Sequence, residues 1–191
     1  RITKATSGET DEWTHQWHDV DGGLTTDDQR VGVPQGIQWL SGPLFAMAGR
    51  KSSTQTLVSS GGLNFYITQN VLDNVGLAAD EMKQYLVARD GYNGLIRWQR
   101  NWTGPFVTGN GETNPRMVAS GGKLYATNRN GLLCLDPKTG STISEIELTE
   151  APNKILVYGD RVLVQVDSEV RAFDAELKQE IWSFEGRQLS G

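Results

Sequence analysis

Apolar and polar residues alternate along this chain in short runs, and pairs of turn-forming residues separate the runs. Val162, Val164 and Val166 fall two residues apart, which places them on one face of a strand. The stretch 116–148 divides the same way. Gly121-Gly122 and Asn130-Gly131 read as tight hairpin turns, the latter because both residues tolerate a positive φ. In Asp136-Pro-Lys-Thr-Gly140 the proline presets φ and the glycine accepts a left-handed conformation. Four strands are therefore predicted, at 116–120, 123–127, 132–135 and 141–148.

The layout recurs. Val118-Ala-Ser-Gly-Gly-Lys-Leu-Tyr125 aligns with Leu156-Val-Tyr-Gly-Asp-Arg-Val-Leu163 at an offset of 38, and Leu135-Asp136-Pro137 aligns with Phe173-Asp174-Ala175 at the same offset. The third copy places its turns at Gly159-Asp160, Asp167-Ser168 and 174–178. An earlier copy, Val58-Ser-Ser-Gly-Gly-Leu-Asn-Phe65, matches at an offset of 60, but its Asp90 matches Asp136 at only 46. That copy is therefore 14 residues longer, with the extra length between Ile67 and Tyr85. Within it, Leu77-Ala-Ala-Asp-Glu-Met-Lys-Gln84 consists of good helix formers and predicts a short helical turn. A period near 40 built from four short strands predicts an all-β chain of four-stranded antiparallel propeller blades, each needing its neighbours. Three blades and an N-terminal strand segment make an incomplete ring, since closed propellers have about 4–8 blades. The expected divisions are 1–49 for the N-terminal strand and lead-in segment, 50–104 for a blade with insertion 68–84, 105–148 for the next blade and 149–191 for the last. The glycine-rich 104–114 reads as an inter-blade connection.

The blade ends carry the most specific pattern. The first copy reads Ala88-Arg-Asp90-Gly-Tyr-Asn-Gly94-Leu-Ile-Arg-Trp98, and the third reads Ala172-Phe-Asp174-Ala-Glu-Leu-Lys-Gln-Glu-Ile-Trp182. The second has Asp136 and Gly140, with Ser144 at the tryptophan position. The aspartate can accept hydrogen bonds from amides of its own turn. The last strand then carries the indole into the gap between sheets, where burial removes about 150–250 Å² from water.

This pattern resembles the tryptophan-docking motif of PQQ-like, quinoprotein-type β-propellers, over all three copies. Trp13-Thr-His-Gln-Trp-His18-Asp19 and Val33-Pro-Gln-Gly-Ile-Gln-Trp39-Leu-Ser-Gly-Pro43 resemble the opening of an exported bacterial subgroup of PQQ-like repeat proteins. The resemblance implies the fold, a periplasmic or otherwise exported setting in the bacterial cell envelope, and Ala88, Asp90, Gly94, Trp98, Asp136, Gly140, Ala172, Asp174 and Trp182 as structural docking residues. Three blades leave the ring open, so the chain is expected to be the N-terminal part of a longer member, or to have its ring completed by other chains. The broader family includes PQQ-dependent dehydrogenases and non-catalytic propellers. The dehydrogenases resemble one another in a vicinal cysteine pair, whereas this chain has a single cysteine, Cys134, in an apolar strand. No catalytic or cofactor-binding residue carries over, so PQQ with calcium remains only what an enzymatic relative would use.

Other chemistry is sparse. A net charge of −5 and the lack of a basic run argue against a nucleic-acid surface. No apolar stretch approaches the roughly 20 residues of a membrane helix, and one cysteine allows no internal disulfide. His15 and His18, followed by Asp19, Asp21, Asp27 and Asp28, could suggest a metal. Trp13 to Trp17 reads instead as a strand, on which residues three apart point to opposite sides. Asp19-Val-Asp21-Gly22-Gly23 lacks the register of a calcium loop and reads as a turn. No phosphate loop or nucleophile elbow is found. The expected role is a non-catalytic binding or scaffold module acting through protein–protein interaction; the alternative is part of a PQQ-dependent oxidoreductase.

Overall fold

The computed structural model describes residues 8, 10–30, 36–37, 54–69, 83–102, 117–128, 131–150 and 152–186. Twelve strands make three antiparallel sheets, each a simple meander in chain order. The first contains β1 (Thr54–Ser60), β2 (Leu63–Gln69), β3 (Gln84–Asp90) and β4 (Ile96–Asn101). The second contains β5 (Met117–Ser120), β6 (Lys123–Asn128), β7 (Gly131–Leu135) and β8 (Thr142–Glu147). The third contains β9 (Lys154–Tyr158), β10 (Arg161–Val166), β11 (Glu169–Asp174) and β12 (Glu180–Glu185). Among the described residues there is no helix, and the three sheets do not close a ring. The all-β blade architecture is thus as the repeat predicts. The predicted helical turn (beyond Lys83 and Gln84), most of the 33–43 lead-in, Asn130 and the 104–114 connection lie outside the described residues.

Turn chemistry sets each meander. Gly61-Gly62 and Gly121-Gly122 adopt positive φ between the first two strands of their sheets. A register shift sits at the same repeat position in all three sheets, between Ala88 and Arg89, Cys134 and Leu135, and Ala172 and Phe173. Each bulge falls one or two residues before the turn aspartate, and it re-aims the chain as it enters the outermost strand.

The sheets stack face to face through their innermost strands, β1 beside β5 and β5 beside β9. One apolar cluster joins Val58, Phe65, Ile67, Leu86 and Ala88 to Met117, Leu124, Ala126 and Leu135. The other joins Val118, Tyr125, Leu132 and Cys134 to Ile155, Val162, Val164 and Phe173. Cys134 is buried, and burial pushes its thiol above the usual range. Neither cluster lies within one sheet, which is the physical content of blades that need neighbours.

The N-terminal segment departs from expectation. Trp13 to Trp17 is not a strand. The His15 amide donates to the His18 carbonyl at 3.1 Å, His18 adopts φ 78°, and the chain turns back on itself. The cause is its bonding: it lies across strand edges rather than along one, and Asp11 accepts from His18 Nε2 at 2.6 Å.

Candidate functional site

Some of the expected docking residues meet where one sheet abuts the next, and others stand at sheet faces that no described sheet covers. In the first sheet, Asp90 Oδ1 accepts the amides of Tyr92 at 2.9 Å and Asn93 at 3.0 Å. Gly94 closes the turn with φ 72°, donating to the Asp90 carbonyl at 2.9 Å. In the second, Asp136 Oδ1 accepts from Lys138 at 2.8 Å and Thr139 at 2.9 Å, and Gly140 closes with φ 73°. Burial pushes the Asp90 carboxyl up, but the Arg97 guanidinium and the two amides outweigh it and hold the pKa below the usual carboxylate range. Asp136 is held low by the Thr139 and Lys138 amides.

Across the first junction, Trp98 on β4 pairs with Ala88 in its own sheet and reaches the next. Its Nε1 donates to the Pro137 carbonyl at 2.8 Å. Its ring meets Phe65 at a centroid distance of 6.1 Å and lies against Gly140, where a Cβ would stand 2.7 Å from the indole. Arg100 adds a bond to the Gly140 carbonyl at 2.9 Å.

The second junction solves the same problem with other residues. Ser144 replaces tryptophan and donates to the Glu176 carbonyl. Tyr125, at the repeat position of Phe65, donates its hydroxyl to the Ala175 carbonyl at 2.6 Å. Ala175 is the repeat equivalent of Pro137, so the same carbonyl position is satisfied from a different strand. The receiving turn has no closing glycine. Leu177 takes the left-handed position with φ 56° and packs into the cluster with Tyr125. Where no indole arrives from the donor strand, an apolar side chain arrives from the acceptor turn. Sequence comparison missed Tyr125 and Leu177; the available signals were a hydroxyl added to an aligned aromatic and Lys178 at the glycine position.

At the third sheet the site is open. Ala172 is buried and pairs with Trp182, yet Trp182 is 46% exposed and Phe184 63% exposed. Asp174 Oδ1 accepts from Glu176 at 3.1 Å and Lys178 at 2.9 Å, so its turn is formed. Among the described residues no sheet follows to receive the indole.

The two histidines do not face a common point. His15 Nε2 accepts the Val157 amide at 3.1 Å, while His18 Nε2 meets Asp11. Asp19, Asp21 and Gly22 form a short turn in which Asp19 Oδ1 accepts the Asp21 amide at 2.9 Å.

Comparison with known proteins bears on this architecture. A family profile described as PQQ_2, outer membrane protein assembly factor BamB, matches residues 82–190. No curated protein sequence matches significantly. Among solved structures, the computationally designed Ika8 protein is similar at a TM-score of 0.51, with 12% identity over 75% of this chain and 40% of its own. BamB from Moraxella catarrhalis is similar at a TM-score of 0.45, with 20% identity over 65% of this chain and 34% of its own. Quinohemoprotein alcohol dehydrogenase from Comamonas testosteroni is similar at 0.48, with 17% identity over 70% of this chain and 21% of its own. The chain thus spans less than half the length of each. With more than half of its residues matched by the profile, and with three sheets of the expected meander, the chain belongs to the PQQ-like repeat β-propeller family.

Proposed function

We propose that the chain acts as a non-catalytic binding or scaffold module of the bacterial cell envelope, through protein–protein contact at the outer face of its third sheet. The composition of that face carries the reading. Leu156, Leu163, Val170, Ala172, Trp182 and Phe184 occupy the repeat positions that, in the second sheet, are Val118, Tyr125, Leu132, Cys134, Ser144 and Ile146. The second set is covered by the third sheet. The first set is wholly apolar, and five of its six members are half-buried or exposed. The opposite face of the first sheet is more polar, with Ser59, Asn64 and an Arg89–Tyr66 hydrogen bond at 2.9 Å. An apolar patch of this kind, bordered on the same face by Lys154, Arg161 and Gln165, favours a partner over water. Its natural occupant is another blade, from the same polypeptide or a second one, that offers an aspartate turn closed by glycine to Trp182. The family description, an outer membrane protein assembly factor, supports an envelope, periplasmic setting.

Sedimentation of the purified chain tests this. The chain should associate above monomer mass and bind a hydrophobic dye, and Phe184→Arg should reduce both. A monodisperse monomer that binds no dye would overturn the reading. Micromolar PQQ with calcium should leave the quinone spectrum that of the free compound. A bound-quinone band accompanied by dye-linked alcohol oxidation would instead favour the oxidoreductase.

A further inference from the structure

Ser59, Ala119 and Val157 occupy one repeat position on the three innermost strands, at successive offsets of 60 and 38. Each amide is bonded by a consecutive residue of the N-terminal segment. The Ser59 amide donates to the Trp13 carbonyl at 2.7 Å, and the Ala119 amide donates to the Thr14 carbonyl at 2.9 Å. The Val157 amide donates to His15 Nε2 at 3.1 Å. Glu12 extends the series, accepting the Gly61 amide at 2.6 Å and the Ser60 hydroxyl at 2.8 Å. Ser59, Ala119 and Val157 lie on edge strands, which otherwise bond on one side only.

We propose that residues 12–15 form a clip across the inner strands of all three sheets, and that the His15 imidazole is its proton-sensitive end. The first two links use main-chain carbonyls, which do not titrate. The third uses a ring nitrogen, because the chain turns back at His15 to meet His18. Nε2 can accept the Val157 amide only when it carries no proton, so the neutral ring must hold its proton on Nδ1. Thr14 Oγ1 lies 2.8 Å from Nδ1, placed to accept that proton, and lies 3.3 Å from the His18 carbonyl, to which it donates. The three contacts therefore define one tautomer.

The surroundings favour the neutral ring. His15 is 5% exposed, and burial holds its pKa below the usual histidine range against the opposing pull of the Asp19 carboxylate. From β9 it meets the Val157 amide, a donor. His18 presents its main chain to His15 and turns its ring nitrogens to Asp11 and Asp19. The sign follows from linkage. A depressed folded pKa contributes stability above about pH 6.5, the unfolded histidine value, and that contribution is lost as pH falls through the folded pKa. Acid converts the acceptor into a donor facing a donor, so the third sheet loses its link while the first two keep theirs.

Amide hydrogen exchange on the full chain tests the clip, with rates corrected for intrinsic pH dependence. Between pH 7.5 and 5, protection of the Val157 amide should fall by about tenfold, while Ser59 and Ala119 hold theirs. His15→Gln supplies an acceptor that does not titrate and should flatten the Val157 profile. Val157 protection that is independent of pH in the parent, or equally pH-dependent in His15→Gln, would overturn the proposal. Should that variant fail to fold, the imidazole nitrogen shifts of the parent at pH 7.5 decide. A proton on Nδ1 is expected, and a proton on Nε2 would overturn it.

Discussion

Gly140 and Trp98 meet at a distance that permits no side chain between them. Two costs coincide at this glycine: a φ of 73°, and a ring that a Cβ would approach to 2.7 Å. A left-handed non-glycine residue costs roughly 1–2 kcal/mol, and overpacking adds roughly 1–3. Gly140→Ala should therefore destabilise by about 2–5 kcal/mol, read as a lowered denaturant midpoint with an unchanged slope. Tyr125→Phe makes the contrast at the neighbouring junction. It keeps the ring but removes the bond to the Ala175 carbonyl, so the expected loss is only about 1–2 kcal/mol. Junction chemistry was half legible at this scale. The Asp-x-x-x-Gly spacing and Trp98 stand out in one copy because they recur in another. Tyr125 and Leu177 do not recur; each compensates for a neighbour in a different sheet, and a linear comparison of copies does not reveal compensation across a junction.

The turns between the third and fourth strands share one construction, and those of the second and third sheets receive the junctions. Asp90 and Asp136 each use one carboxylate oxygen to hold two amides, so each turn depends on an ionised aspartate. Both pKa values are lowered on folding. Their contribution is complete above about pH 4, the unfolded carboxylate value, and is lost as pH falls through the lower folded values. Thermal unfolding followed from pH 6 to pH 2.5 should show this loss, and Asp90→Asn with Asp136→Asn should make the acid limb shallower while lowering stability at pH 6. An acid limb of unchanged slope in the double variant would place the acid sensitivity elsewhere, with Asp11 next in line, since the Asp27 amide and His18 hold it low. Strands and turns were legible because alternation and glycine pairs are local signals. The N-terminal segment reads as a strand in the sequence because Trp13-Thr-His-Gln-Trp17 alternates as a strand would. The strand edges it bonds to lie 46 to 142 residues away, and nothing local encodes those contacts.

At the scale of the whole molecule, the same repeat position has two energetic meanings. Trp98 and Trp182 follow the same aspartate at the same distance, and each pairs with the alanine of its own third strand. Trp98 has a sheet to enter, whereas Trp182 has none among the described residues. In a stacked array, stability is approximately a sum of repeat terms and interface terms, and a docking indole belongs to the interface. Trp98→Ala should then cost about 3 kcal/mol in this chain. Trp182→Ala should cost well under half of that, because much of the indole is still in water. The order should reverse in importance once a blade covers the third sheet. There Trp182→Ala should weaken association while leaving the unfolding midpoint of the isolated chain nearly unmoved. Equal losses for the two variants in the isolated chain would mean that Trp182 acts within its own sheet, and the case for its outer face as a binding surface would go with it.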